Sequence, residues 1–305
     1  MACATSKQTL HLSPVIEEGL AGRRKEVVRI KDAHSRFECK YIINPLLVEE
    51  VRSFIRPFMQ PDPYAIHYPD YTYPICTLYL DSPDLQLYSQ VLAGEKNRFK
   101  LRVRTYSDDP DTPAFFEIKK RMNQVVLKRR AEVDREAARE LLTKDSPRIP
   151  VGLVDTLMPD LDEFTSYKLL ISAKPVVRVG YMREAYESRT GEPVRVTFDT
   201  HLRHAVTFDG TLSHSKGDWL TTPVEGVILE VKFTDRFPSW ARDLAELFQL
   251  RQRAVPKYVM SVDHLMMGGR KSTVSMAGFT LPPQRWTGQP AGYHPSAPWK
   301  ATLED

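Results

Sequence analysis

Alternation at every second residue constrains this chain more than any other feature. In KLRVRT, residues 100 to 105, Lys100, Arg102 and Arg104 share one side of an extended segment, while Leu101, Val103 and Thr105 share the other, because successive side chains of a strand point to opposite faces. The pattern recurs along the chain. FECKYII aligns Glu38 with Lys40, FFEIKKR aligns Glu117, Lys119 and Arg121, and VVLKRRAEV aligns Lys128, Arg130 and Glu132. Later, VRVTFD aligns Arg195, Thr197 and Asp199, and ILEVKF aligns Glu230 with Lys232. A sheet built from these segments has one apolar and one ionic face. Two folds satisfy that: an antiparallel sheet with a solvated side, or a barrel with a charged lumen and helices over its apolar outside. The ionic face chooses guanidinium and ammonium groups, with a few glutamates, over Ser, Thr and Asn, and this favours the barrel. Packed cations repel one another unless a ligand neutralises them, so such a lumen suits a polyanion.

Helices are announced by caps and period. Asn44 and Pro45 open PLLVEEVRSFIRPF, and Ser82 and Pro83 open PDLQLYSQVLAG, which Gly94 can close. DREAARELL, VGLVDTLMPDLDEFTSYKLL and SWARDLAELFQL are helical by composition and spacing. The expected class is α+β: a closed antiparallel β tunnel barrel with a charged lumen, surrounded by helices. Residues 1–32, with the basic knot GRRK, and the Pro-, Gly- and Ser-rich residues 270–305 are expected to be poorly ordered extensions of a 33–269 domain.

Composition narrows the partners. A net charge of +4 excludes a uniformly basic nucleic-acid coat, and no nucleic-acid partner is expected. Three cysteines without a CxxC pair argue against a disulfide framework or zinc ribbon and for a reduced, cytoplasmic setting. There is no 18-residue apolar run and no signal-peptide core among the first thirty residues. No transmembrane segment is therefore expected, and a membrane partner is left open.

The ordered set RFECKYII, YLDSPDLQLY, FKLRVRTY, FFEIKKR with VVLKRR, VGYMREAY, VRVTFDTHL, VILEVKF and PKYVMSVD, over residues 35 to 268, resembles the VTC domain of polyphosphate polymerases in the triphosphate tunnel metalloenzyme superfamily. The resemblance implies an antiparallel tunnel, a Mn or Mg ion, and transfer of the terminal phosphoryl group of ATP to a growing polyphosphate chain. It implies phosphate contacts from Lys40, Arg102, Arg104, Lys119, Lys128, Arg130, Arg183, Arg195, Lys232 and Lys257, and a metal-binding role for Glu230, with Glu117 as a second candidate ligand. Of these, Arg102, Arg104, Lys119, Arg183, Arg195 and Glu230 are expected to serve the chemistry. Such residues suit phosphoryl transfer, which asks for positioning and neutralisation of phosphate oxygens and little covalent work. One departure concerns Pro256, where the family usually has Ser before its late lysine; proline offers neither a hydroxyl nor an N–H. A metal-dependent triphosphate or nucleotide hydrolase and a silent polyphosphate-binding module stay open as alternatives.

Other signals carry less. GGRKST at 268–273 lacks the spacing of a phosphate loop. His201 and His204, without a third ligand nearby, read as a surface pair, and Cys39 and Cys76 as packed strand residues.

Overall fold

The alternating segments do form strands, and a single ladder joins them. The computed structural model describes residues 36–123, 125–143 and 159–268. The strands are β1 (Arg36–Ile43), β2 (Met59–Pro61), β3 (Thr72–Asp81), β4 (Asn97–Thr105), β5 (Ala114–Met122), β6 (Val125–Val133), β7 (Lys174–Ser188), β8 (Arg195–Val206), β9 (Leu220–Thr221) and β10 (Val227–Thr234). Their order is β1-β10-β8-β7-β3-β4-β5-β6, with β2 paired to β7 and β9 to β8. Every pairing is antiparallel. Among the described residues this ladder does not return from β6 to β1, so the expected closure by hydrogen bonds is not seen. The sheet curls instead: Lys119 on β5 reaches Glu38 on β1 at 3.2 Å, so side chains from opposite ends of the strand order meet.

Helices cover the apolar outside. α1 (Val48–Ile55) and α5 (Ser239–Leu247) pack Val51, Ile55, Ala241 and Leu244 against Val196, Phe198, Leu229 and Val231. α3 (Arg135–Thr143) and α4 (Pro159–Leu170) pack Leu141, Leu142, Leu161 and Phe164 against Leu101, Val103, Phe116 and Ile118. These are the apolar halves of the alternating segments, as the period requires. Burial of each such Leu, Val or Phe contributes roughly 1.5–3 kcal/mol, which is what holds the charged half turned inward.

Two helices depart from expectation. α2 (Gln86–Leu92) starts three residues beyond Pro83. Buried Asp81 accepts hydrogen bonds from the N–H groups of Ser82, Leu87 and Tyr88 at 2.8, 2.8 and 2.9 Å, and the Ser82 hydroxyl accepts from that of Gln86 at 2.8 Å, so the capping begins at Asp81. The other is α6 (Lys257–Gly268), a helix outside the five stretches marked by caps and period. It packs Tyr258, Val259, Val262 and Leu265 against Tyr79, Val177, Val179 and Ile228. Residues 77, 79, 179 and 228 lie on the same side of their strands as the ionic residues. The inner side is therefore charged over part of its length and apolar where α6 enters. His204, expected at the surface, is fully buried beside α6, with its Nδ1 2.6 Å from the Thr222 hydroxyl and its Nε2 3.3 Å from His264. Cys76 is buried and Cys39 half-buried, both unpaired. The two expected extensions, GGRKST after Gly268, and the first part of the helix expected from Val151 lie outside the described residues.

Candidate active site on the inner face

Strand register carries the candidate residues onto one surface. β1 and β10 pair Glu38 with Lys232 and Lys40 with Glu230; β10 and β8 pair Lys232 with Arg195; β8 and β7 pair Asp199 with Arg183. On the other side, β4 and β5 pair Arg102 with Glu117, and β5 and β6 pair Glu117 with Arg130 and Lys119 with Lys128. Period 2 does this work: each of these strands gives its alternate, ionic residues to the same side.

The cations gather around four carboxylates. Glu117, fully buried, lies 2.7 Å from Arg102 Nε, 2.5 Å from Lys128 Nζ, 3.8 Å from Arg130 and 3.9 Å from Arg104. Glu230 lies 2.7 Å from Lys232, 3.3 Å from Lys40 and 3.5 Å from Arg183. Asp199 accepts two hydrogen bonds from the Arg183 guanidinium at 2.6 and 2.7 Å and one from Lys257 at 2.6 Å. Glu38 pairs with Lys40 and Lys119. Lys257 and Arg183 also stand over the Tyr181 ring, at 4.7 and 5.3 Å from its centroid. Arg195 occupies the rim: its side chain is 44% exposed, pairs with Asp62 and donates to the Tyr73 hydroxyl at 3.1 Å. All the residues expected from sequence to bind phosphate thus share this face, with Arg195 outermost.

Charge sets the protonation states. Burial pushes the Glu230 carboxyl up, but Lys232, Lys40 and Arg183 reverse this and hold it well below the usual carboxylate range. Burial likewise opposes ionisation of Glu117, and Arg102, Arg104 and Lys128 overcome it. Asp199 is held at about 2 against its own burial by Arg183 and Lys257. Lys128 falls to about 8, first through burial and then through Arg102 and Arg104, with Glu117 pulling the other way. The carboxylates are therefore ionised at neutral pH, and cations still outnumber them.

Hard oxygen donors of this kind fit a divalent ion. Glu230 is joined to Glu38 on the neighbouring strand by a side-chain hydrogen bond, and its charge acts on both Glu38 and Asp199, whereas Glu117 is enclosed by its own four cations. Among the described residues no three His, Cys, Asp or Glu side chains form a group that could hold a metal. An ion here would complete its shell with ligand oxygens.

Glu38, Asp199, Tyr181, Asp62 and Tyr73 join the site without having been assigned roles from sequence. Glu38 and Asp199 were visible on the alternating ionic face, and Tyr181 precedes Arg183 by two residues, which places both on one side. Asp62 had no such signal, because its partner Arg195 is 133 positions away. Pro256 stands immediately before α6, a position where its missing N–H costs the helix nothing.

Among solved structures the chain is similar to a candidate adenylate cyclase from Bacillus halodurans, with 13% identity over 72% of this chain and 95% of that one and a TM-score of 0.39. It is also similar to a candidate adenylyl cyclase from Hippeastrum described as having a dominant triphosphatase activity (14% identity, 79% and 98% covered, TM-score 0.40). A third is a Pyrococcus horikoshii protein (13% identity, 70% and 86% covered, TM-score 0.33). Likenesses of this size carry no argument about activity. No curated protein matches the chain. The VTC domain family model matches residues 35–266, the whole span over which the inner face is built, and the chain belongs to that family.

Proposed function

We propose that this protein is a metal-dependent phosphotransferase that moves the terminal phosphoryl group of ATP onto a polyphosphate chain held against the inner face. The observation that carries the reading is the convergence of Lys40, Arg102, Arg104, Lys119, Lys128, Arg130, Arg183, Lys232 and Lys257 on one enclosed surface, where four carboxylates leave them only partly neutralised. The Lys119 to Glu38 pair supports a tunnel, since it spans the gap left by the open ladder.

In this reading Arg102 and Arg104 grip phosphate oxygens with planar, multi-donor guanidinium groups, and the lysines act as point charges around them. Arg183 is aimed by Asp199, and Lys257 is brought to the same carboxylate by α6. Arg195, tethered to Asp62, receives the phosphate chain at the rim. Glu230, with Glu38 beside it, would hold Mn or Mg, and Glu117 is the second ligand that sequence suggests. The ion would supply further neutralisation of phosphate oxygens during transfer. Catalysis of this kind needs fixed cations and in-line placement more than a covalent nucleophile.

Among the described residues no helix is long and apolar enough to cross a membrane. The unpaired Cys39 and Cys76 support a reducing, cytoplasmic setting.

The test is incubation with ATP and Mn or Mg, with products resolved by length. Long polyphosphate together with ADP is the expected result. Free phosphate without chain growth would make the protein a hydrolase, and no turnover with intact triphosphate binding would make it a binding module.

A further inference from the structure

Each cation named in the site has a carboxylate within 4.0 Å. Lys100, on the same side of β4, has none among the described residues. Its direct neighbour across the β4–β5 ladder is another lysine, Lys119, flanked by the pairs Arg102 to Glu117 and Arg98 to Arg121. Like charges directly opposite one another in a sheet are destabilising. The charges that weigh most on Lys100 are those of Lys40 on β1, Lys119 on β5, and Arg98 and Arg102 on its own strand, all cations. The carboxylate that register would bring beside it is Asp81, one residue beyond the last β3–β4 pair, Leu80 to Leu101. Asp81 is already engaged by the Ser82, Leu87 and Tyr88 N–H groups and by the Tyr258 hydroxyl at 2.6 Å. A half-buried ammonium in such surroundings lacks an anion that the protein could have supplied and does not.

We propose that Lys100 is an anion-binding residue of the inner face, contacting a phosphate group of a phosphoanhydride chain that runs along β4 beyond Arg102. The inference rests on the functional reading above and deepens it. Arg104, Arg102 and Lys100 recur every second residue, so their Cα atoms span roughly 13 Å at about 3.3 Å per residue. The first two share Glu117, and the third is left for the ligand. Burial, followed by Lys40, Lys119, Arg98 and Arg102, pushes the Lys100 ammonium down to about 7. Binding of a phosphate beside it favours the charged form, so part of the affinity is coupled to proton uptake near neutral pH. No covalent step is involved.

Calorimetric titration of the full chain with long-chain inorganic polyphosphate and with inorganic triphosphate, in wild type, Lys100→Met and Lys100→Arg, tests this. Lys100→Met is expected to weaken long-chain binding on the order of tenfold or more, with a smaller effect on triphosphate, and Lys100→Arg to retain it. From about pH 6 to about pH 8.5 the wild type is expected to lose affinity relative to Lys100→Arg, because only lysine gives up its proton over that range; the comparison cancels the ligand's own titration. Wild-type affinity in a folded Lys100→Met protein, equal losses in the Met and Arg variants, or a wild-type to Arg ratio that does not change with pH would each overturn the assignment. Failure of the wild type to bind either phosphate chain would instead overturn the functional reading beneath it. Should Lys100→Met not fold, the Arg variant and its pH series decide alone.

Discussion

Buried arginines occur on both sides of this sheet, and they do opposite things. On the inner side Arg102 and Arg104 face a fully buried carboxylate and one another's charge. On the outer side Arg178 donates to the Ser213 and Lys216 carbonyls at 2.9 and 2.8 Å. Arg203 donates to the His214 carbonyl at 2.8 Å, and Arg135 to those of Ser107, Thr112 and Leu212. Arg178 and Arg203 both stand over the Trp219 ring, their guanidinium carbons 5.0 and 4.5 Å from its centroid. Gly217, at φ +105°, lets the loop run so close to Arg178 that a Cβ there would collide with it. The outer arginines hold a loop, since the hydrogen bonds given above run from them to its backbone carbonyls and to those of its neighbours. The inner ones are opposed by carboxylates that leave net positive charge behind. Residue type and burial are alike in the two places, and the identity of the partner separates scaffold from site.

That contrast can be broken in several ways. The largest effect is expected from Glu230→Gln, which keeps shape but removes the anionic oxygen a hard cation prefers: turnover with Mn or Mg should fall about 10²–10³-fold, while triphosphate binding, followed by calorimetry, persists in a protein that still melts cooperatively. Next comes Arg102→Ala, for which triphosphate affinity should drop roughly tenfold to a hundredfold with little change in the urea midpoint. The outer counterpart, Arg178→Ala, should reverse that signature, losing about 1.5–3 kcal/mol of stability at unchanged triphosphate affinity; if it instead weakened binding, the two arginine groups could not be assigned separate jobs. The smallest effect concerns pH. Burial pushes both His214, in the outer loop, and His204, beside α6, down to about 4. Each stays neutral in the fold, while the unfolded chain takes up a proton near pH 6.5. Their contribution to stability is full above about pH 6.5 and is lost progressively as pH falls toward about 4. The melting temperature should therefore be lower at about pH 5 than at about pH 7, and His214→Gln should flatten part of that slope if the outer loop shares in it.

The inner face was legible because its signal is local: a period of two places Lys40, Arg102, Lys119, Arg195 and Glu230 on one side, whatever the rest of the chain does. The helices over the outside were legible through caps such as Asn44, whose side chain accepts from the Leu46 N–H at 3.0 Å. What could not be read depends on distant partners. Whether the ladder closes is decided by the two edge strands, β1 and β6, whose own sequences say nothing about each other. Asp62 holding Arg195, and Asp81 receiving Tyr258 across 177 positions, leave no trace in spacing. α6 carried a local signal that went unused: Tyr258, Val259, Val262 and Leu265 stand at i, i+1, i+4 and i+7 and form one buried stripe.

Where α6 lies also bears on the order of assembly. It comes after every strand among the described residues, yet it packs inside the curl that those strands make, with contacts reaching back 58 positions to Asp199 and 177 to Asp81. Such long loops close late, because their entropy must be met before their contacts form. During synthesis the sheet and its outer helices are complete in sequence by Leu247, while Tyr79, Val177, Val179 and Ile228 still lack their cover and Asp199 lacks Lys257. A nascent or truncated chain at that stage presents an oily mouth to its neighbours, a hazard for aggregation. The insertion of α6 is thus a checkpoint of completeness: a chain acquires its last inner lysine only by burying the surface that makes the unfinished one adhesive.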